Sequence, residues 1–319
     1  MRVRFWGTRG SIPVALTSAD IRRKIERALV LALDKGVDTP EKLQSFIDND
    51  LDFSILQTYG GHSPCVEIGT DSGEFLCCDM GSGARAFGAH VMGHTWPGTV
   101  PVVHIVMSHV HWDHIMGFPF FAPAYVPRAK LRIYGCHDVL EQAFRLQQSA
   151  PCFPVDFSVL GASIEFVHLE PGRTTEIAGF QVTPKLQRHT GDSYGYRFER
   201  DGKSLVYTTD SEHKLEDPAE TEGFVEFFRN ADLVIFDAMY SLLDAVSVKE
   251  DWGHSSNIVG VELAQMAGVR HLCMFHHEPA FNDERIQAVL NETIRFEELT
   301  RADKPLRISA AYDGMELDV

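Results

Sequence analysis

The chain has 319 residues, of which 44% are apolar and 23% charged, and this composition excludes disorder over most of its length. Forty-five acidic against 29 basic side chains give a net charge of −16, so extensive nucleic-acid binding is not expected. No stretch approaches the roughly 18 unbroken apolar residues of a membrane span, and the first residues show no signal-peptide pattern. We expect a cytoplasmic protein without membrane association, with six reduced cysteines.

The first predicted elements are a strand and a helical hairpin. Residues 2–6 alternate and predict a strand. Ser18 is the expected cap of the first helix, and Thr39 caps a second helix that begins with Pro40. The apolar residues of the first helix recur at four-residue spacing: Ile21, Ile25 and Leu29. We therefore predict a helical insertion at about 16–55.

The rest of the chain predicts a layered α/β sandwich, because runs of strands are interspersed with helices. Apolar runs predict strands at 63–69, 74–79, 100–108, 163–168, 179–188, 194–199, 204–209, 233–237, 272–275 and 306–310. Helical periodicity or capping signals occur at 139–147, 222–229, 258–267 and 284–298. No linker divides this region, so we expect one domain over residues 1–319.

The most informative motif reads His-Val-His-Trp-Asp-His at residues 109–114. It directly follows a predicted buried strand. Histidines at i and i+2 of an extended chain point the same way, and the Asp and His that follow can turn back from the loop. Imidazole nitrogen and carboxylate oxygen are typical zinc ligands. The motif therefore predicts a metal site.

Other candidate ligands also follow predicted strands. His189 ends one strand, Asp210 ends another, and the pair His276-His277 ends a third. A single such residue is more often structural. Together with the motif at 109–114, they indicate a metal site assembled from several strand ends.

These motifs together resemble the metallo-β-lactamase superfamily. Further segments resemble the phosphodiesterase branch of ribonuclease Z and the phosphonate-pathway cyclic phosphodiesterases. They are FWGTRGSIP from Phe5, YGGHSPC from Tyr59, CDMGSG from Cys78, GYRFE from Gly195 and GHSS from Gly253. The resemblance covers most of the chain except the insertion. It implies an α/β fold, the four-layer αββα metallo-β-lactamase sandwich, with two metals at one edge of the sheets.

The resemblance also implies a ligand set for two divalent metal ions. We expect Zn²⁺, with Mn²⁺ or Fe as alternatives. The implied ligands are His109, His111 and His189 for one ion, Asp113, His114 and His276 for the other, and Asp210 as a bridge between them. His276 is preferred to His277 because it is the first histidine after the strand.

Two divalent ions about 3.5–4 Å apart can share a hydroxide and bind phosphoryl oxygens, which suits hydrolysis of a phosphodiester. The resemblance assigns protonation of the leaving oxygen to His254, and Asp113 is the second candidate catalytic residue. The alternative role of His254 is structural, in a loop that caps the helix at 258–267. Asp79 and Ser82 are expected to hold the ligating histidines in place.

The sequence departs from ribonuclease Z in lacking a basic, glycine-rich arm for transfer RNA. We therefore expect a small phosphodiester substrate, with cyclic nucleotides as one candidate class. The alternatives are an RNA-end-processing nuclease or another hydrolase on this fold, such as a thioesterase, lactonase or sulfatase. His62, where the family commonly has Asn, and His277 are candidate substrate contacts.

The first helix of the insertion carries a row of basic residues: Arg22, Arg23, Lys24 and Arg27. A row of charges on a helix is usually a solvated face. The functional alternatives are a cap over the metal edge and a contact in a homodimer.

Overall fold

Two seven-stranded β-sheets face each other in the computed structural model, which describes residues 1–96, 98–241, 253–302 and 304–319. The first sheet contains β1 (Arg2–Gly7), β2 (Cys65–Ile68), β3 (Phe75–Cys78), β4 (Val102–Val106), β5 (Lys130–Gly135), β6 (Ser163–His168) and β14 (Glu316–Asp318), in the order β14-β1-β2-β3-β4-β5-β6. The second contains β7 (Thr175–Ile177), β8 (Phe180–Gln187), β9 (Ser193–Arg200), β10 (Lys203–Thr208), β11 (Leu233–Asp237), β12 (His271–Phe275) and β13 (Arg307–Ala310), in the order β13-β12-β11-β10-β9-β8-β7.

Both sheets are mixed. Strands β3 to β6 are parallel, as are β10 to β13, whereas the remaining neighbours pair antiparallel. The carboxyl ends of parallel strands lie at the same edge of a sheet. In each sheet the parallel half therefore collects its strand ends, and the loops that follow them, on one side.

Helices cover the outer faces of the sheets. The described α-helices are α1 (Ser18–Asp34), α2 (Pro40–Asn49), α3 (Phe53–Leu56), α4 (Ala84–His94), α5 (Trp112–Ile115), α6 (Leu140–Gln147), α7 (Pro218–Phe228), α8 (Asn257–Ala267) and α9 (Asp283–Thr300). Three short 3₁₀ helices span Phe118–Phe120, Ala122–Tyr125 and Phe157–Val159. Helix α4 packs on the first sheet, and α7, α8 and α9 pack on the second.

An apolar core fills the space between the sheets. Phe5 of the first sheet and Phe275 of the second, both fully buried, have ring centroids 6.0 Å apart. Helices, two sheets and helices thus form the predicted αββα sandwich. None of the helices in the described ranges is long and apolar enough to cross a membrane.

The insertion forms three helices, α1, α2 and the short α3. Thr39 caps α2 as predicted, because its side chain accepts a hydrogen bond from the Lys42 N–H. The predicted Ser18 cap of α1 is wrong by one residue. Thr17 is the cap, since the Asp20 carboxylate accepts the Thr17 N–H while Thr17 accepts the Asp20 N–H, which is a capping box.

Candidate metal centre

The site lies where strands of both sheets end. The first sheet supplies the segment after β4, which continues into α5, and the second sheet supplies the residues after β8, β10 and β12. Two groups of donor atoms result, each with all its atoms within 4.8 Å of one another: His109, His111 and His189, and Asp113, His114, Asp210 and His276. The structure thus brings together all seven residues that the sequence analysis proposed as ligands.

Three imidazoles converge in the first group. His111 Nδ1 lies 3.0 Å from His189 Nε2, and the His109 ring centroid lies 4.5 Å from that of His111 and 5.0 Å from that of His189. His109 Nε2 is buried without a hydrogen-bond partner. A buried polar atom without a partner is costly. Three nitrogens that face a common point are suited to a divalent cation.

The second group is more deeply buried. His114 Nε2 lies 3.2 Å from Asp113 Oδ2, and His276 Nε2 lies 3.5 Å from the same oxygen. Both histidines are fully buried and Asp113 is 7% exposed. His114 Nε2, His276 Nε2 and Asp113 Oδ2 have no hydrogen-bond partner. This donor set also fits a cation.

Asp210 lies between the two groups. Its Oδ1 is 3.2 Å from both His114 Nε2 and His276 Nε2, whereas its Oδ2 is 3.7 Å from His109 Nε2 and 3.8 Å from His189 Nε2. One carboxylate therefore presents an oxygen to each donor group, which is the arrangement of a bridging ligand.

Asp79 orients the second group through the histidine nitrogen that points away from the other donors. Its Oδ2 lies 2.8 Å from His114 Nδ1 and also accepts hydrogen bonds from the Tyr207 and Ser108 hydroxyls at 2.7 and 2.8 Å. Such a partner fixes the ring of a ligating histidine, as expected for Asp79. The expectation for Ser82 is wrong, because its hydroxyl contacts His62 and the Ser63 N–H instead of a candidate ligand.

In the first group, the second nitrogens of two histidines also have partners. His109 Nδ1 lies 3.0 Å from the Ser108 hydroxyl. His189 Nδ1 donates to the Gly253 carbonyl at 2.9 Å. His189 therefore directs Nε2 towards the other donors of its group.

Three site residues have left-handed backbone conformations. The φ angles are 60° at Asp79, 48° at Asp210 and 59° at His276, which non-glycine residues seldom adopt. All three follow a strand by one or two residues. Strained backbone of this kind persists only when the surrounding structure holds it, and it is concentrated at functional sites.

Burial and charge set the protonation of the first group. Burial, followed by the positive potential of His114, holds the pKa of His109 well below its ordinary value. Burial and His189 likewise lower the pKa of His111. Neutral imidazole is the form that binds metal.

The carboxylates of the second group are held in their charged form. Burial alone would raise the pKa of Asp210, but His276, His114 and His109 together shift it well below its ordinary value. Burial also opposes ionisation of Asp113, and His114 and His276 again lower its pKa overall. Ionised carboxylates are the ligating form.

A histidine–carboxylate pair lies beside the donor groups. His254 Nδ1 is 2.8 Å from Asp237 Oδ2, and the His254 ring stacks on His276 with centroids 5.1 Å apart. Burial alone would lower the pKa of His254, but the charges of Asp237 and other nearby carboxylates outweigh burial and raise it to about 9. Sequence reasoning missed Asp237, although this residue ends the buried strand β11 and so carries the same signal as other site residues.

The geometry also allows His254 a different role. His254 shares two further groups of converging donors, one with His189 and Asp210 and the other with Asp237 and His276. Either a proton donor or an additional ligand is compatible with this position.

The two candidate substrate contacts lie in different surroundings. His62 is exposed, and the hydroxyl of the next residue, Ser63, donates to the Asp113 carbonyl at 2.8 Å, so His62 borders the site. His277 is only 2% exposed, and its Nε2 lies 2.8 Å from the Ala311 carbonyl oxygen. His277 is therefore enclosed by protein and bonded to the backbone, which contradicts the expected substrate contact.

A family model described as a β-lactamase superfamily domain matches residues 79–277, which include all seven candidate ligands. The chain belongs to the metallo-β-lactamase superfamily. Membership agrees with the sandwich fold and with the donor groups at its edge. It supports a hydrolase that binds divalent metal.

Individual relatives are distant. The uncharacterized protein ML1173 of Mycobacterium leprae is 27% identical over 212 residues, which cover 60% of this chain and 66%, just under two thirds, of that protein. Ribonuclease Z of Thermoplasma acidophilum is 24% identical over 227 residues, covering 57% of this chain and 71% of that enzyme. Among solved structures, a diphosphatase of the PhnP family superposes with a TM-score of 0.59 at 18% identity, covering 100% and 97% of the two chains. At this identity the structural likeness concerns the fold.

Proposed function

We propose that the protein is a binuclear metal-dependent phosphodiesterase that acts on small phosphodiesters, cyclic nucleotides among them. The observation that carries this proposal is the Asp210 carboxylate, which offers one oxygen to each of two donor groups. A site for two adjacent cations suits an in-line displacement at phosphorus, where both the attacking and the leaving oxygen need stabilisation.

Two divalent ions, which we propose to be Zn²⁺, would be held by the two donor groups. His109, His111 and His189 form one set, Asp113, His114 and His276 the other, and Asp210 joins them. Nitrogen and carboxylate oxygen donors in sets of this size are typical of zinc. When bound, such ions acidify water and neutralise charge on a phosphoryl group.

His254 would supply the proton that the leaving oxygen needs. Asp237 holds Nδ1 of the ring at 2.8 Å and, by its charge, favours the protonated form. The ring lies against His189 and His276, one from each donor group, with centroid distances of 5.2 and 5.1 Å. A proton on Nε2 is therefore available beside the place where a substrate bound between the groups would react.

Two considerations favour a small phosphodiester. The relatives include a ribonuclease Z, and the structural neighbours include a PhnP-family diphosphatase, both named for cleavage at phosphorus. The net charge of −16 opposes binding of a long polyanion.

Within the part of the chain that the structure describes, the free cysteines are buried except for Cys152, which fits a reducing compartment and the proposed cytoplasmic location.

The ribonuclease Z relative also favours a second candidate, a nuclease that processes RNA ends. The test is turnover by a metal-analysed sample on four substrates: bis-p-nitrophenyl phosphate, a cyclic nucleotide, precursor RNA and a thioester. We expect hydrolysis of the first two. Asp210→Asn, similar in size but without the charge, is the matched control that must lose this activity. Faster cleavage of precursor RNA would favour the nuclease, and activity confined to the thioester would overturn the proposal.

A further inference from the structure

Helix α1 presents its large apolar side chains to solvent. None of its 17 residues is buried. The exposed fractions along one face are 44% at Ile21, 55% at Ile25, 60% at Leu29 and 80% at Leu33. Because these residues recur every fourth position, they form one continuous apolar ridge, which we call the α1 ridge. Contiguous apolar surface of this kind marks interaction sites.

Polar contacts from positions outside this ridge attach α1 to the sandwich. Lys24 Nζ lies 2.7 Å from Asp283 Oδ2 and donates to the Gln57 carbonyl at 2.7 Å. Arg27 forms an ion pair with Glu284 at 2.5 Å. Lys24 and Arg27 thus anchor the helix to the start of α9, whereas Arg22 and Arg23 pair with acidic residues of α1 itself. These contacts hold α1 in place while the α1 ridge stays uncovered.

The shape of α1 is complementary to itself. The row next to the ridge contains the small residues Ala28 and Ala32, both partly exposed, one and two turns beyond Lys24. A row of large side chains beside a row of alanines gives a ridge next to a groove. When two helices pack through rows spaced by four residues, the ridge of each lies in the groove of the other. A second copy of α1, related by a two-fold axis, provides both features.

The exposed area of the ridge limits the contact that a pair can form. With Leu16 and Val30, the ridge exposes roughly 600 Å² per copy, so complete burial on both copies would remove at most about 1,200 Å², the lower end of the range of specific interfaces.

We propose that the α1 ridge is the interface of a homodimer in which two α1 helices pack antiparallel across a two-fold axis. This inference does not depend on the reaction catalysed. The insertion is then an assembly element of this chain, attached to each subunit by the Lys24 and Arg27 ion pairs.

The test is the mass in solution of the metal-loaded full chain, measured by sedimentation over about 1–100 µM. We expect twice the chain mass of 35.8 kDa for the wild type. Ile25→Glu combined with Leu29→Glu should give the monomer mass. Leu146→Glu is the matched control, because Leu146 is a 69% exposed leucine on α6, and this variant should remain dimeric. Circular dichroism melts and metal content verify that each variant is folded.

A second variant distinguishes specific dimerisation from non-specific hydrophobic association. Ala32→Leu fills the groove but makes the face more apolar, so it should weaken the dimer at least tenfold, whereas non-specific association would become stronger. A wild type that is monomeric throughout the range would leave the ridge to a different partner and overturn the proposal. A dimer that persists with both glutamates, or that is strengthened by Ala32→Leu, would overturn it as well.

Discussion

Asp237 and His254 lie in different elements, yet Oδ2 of the carboxylate is 2.8 Å from Nδ1 of the imidazole. Asp237 ends β11, whereas His254 precedes α8. The contact fixes which nitrogen of His254 faces the donor groups, because Nδ1 is occupied. The pair therefore presents Nε2 to the site, with its proton supported by a buried negative charge.

The first prediction concerns His254→Ala. If His254 donates the proton to the leaving oxygen, the variant should keep its metals and lose about 10²–10⁴ in kcat on esters with alkyl leaving groups. The loss should be much smaller for p-nitrophenyl esters, whose leaving group is stable without a proton. Steady-state kinetics on both ester types, with metal analysis of the same samples, measure this.

Asp237→Asn is the companion variant, because it keeps the shape and removes the charge. It should reproduce the same difference between ester types with a smaller loss. Equal losses on both types would exclude His254 as the acid. Loss of metal from His254→Ala would make this histidine a ligand, as its two other donor groups allow.

The second prediction concerns Asp210→Ala. Because Asp210 offers an oxygen to both donor groups, its removal should lower the metal content from about two ions per chain to one or fewer. The measurement is elemental analysis after dialysis against metal-free buffer. Asp138→Ala is the control, since its side chain is 98% exposed, and it should keep both ions. Full metal content in Asp210→Ala would remove Asp210 from the site.

The third prediction uses Gly253. Its φ is 81°, and a Cβ atom there would lie 2.4 Å from His189 Nδ1. Gly253→Ala should displace His189, release the ion held by the first donor group and lower activity more than tenfold. Gly36→Ala is matched in backbone strain, with φ at 63° and no atom near the added methyl group. If both variants bind metal alike, crowding of His189 is not the cause.

The fourth prediction concerns stability in acid. Burial and, to a lesser degree, Arg307 lower the pKa of His271 to about 4, and its Nε2 lies 2.8 Å from the Ser309 hydroxyl. The unfolded chain takes up a proton below about pH 6.5, whereas folded His271 stays neutral until about pH 4. The free energy of unfolding therefore keeps its full value above pH 6.5. It decreases as the pH falls towards 4, because only the unfolded chain takes up the proton.

Between pH 6.5 and 4, the unfolding free energy of the wild type should fall by up to about 3 kcal/mol more than that of His271→Gln. The magnitude follows from about 1.4 kcal/mol per proton per pH unit. Urea titrations at several pH values measure the difference. His168→Gln, which removes a half-exposed imidazole, is the control for loss of a histidine. Parallel curves for wild type and His271→Gln would contradict the prediction.

Most of the donor set could be read from the sequence. The residues at 109–114 are adjacent, and His189, Asp210 and His276 each follow an apolar strand, which marks them as candidates, although β8 before His189 is antiparallel to its neighbours and only the packing of the two sheets brings all seven together. Asp237 carries the same strand-end signal, but its pairing with His254, 17 positions later in the chain, could not be read in this way, because it depends on how β11 packs.

For two helices, the local sequence pattern does not specify the tertiary packing around the helix. Four-residue spacing in α1 correctly predicts a helix with an apolar face, but it does not say whether that face meets the core. Helix α4 was not predicted. Its glycines weaken the helical signal, yet Gly88 is needed there, since a Cβ would lie 2.9 Å from the Phe121 ring. In this case tertiary packing outweighs local propensity.

The candidate ligands come from both sheets of the sandwich. His109 and His114 follow β4 of the first sheet, and His189, Asp210 and His276 follow strands of the second. An ion held by both sides would act as a cross-link between the two layers at their open edge, and the ion of the second group would close a chain loop of 164 residues, from Asp113 to His276. Metal occupancy would then stabilise the packing of one layer on the other, and a metal-depleted chain would lose that contribution to its folding stability.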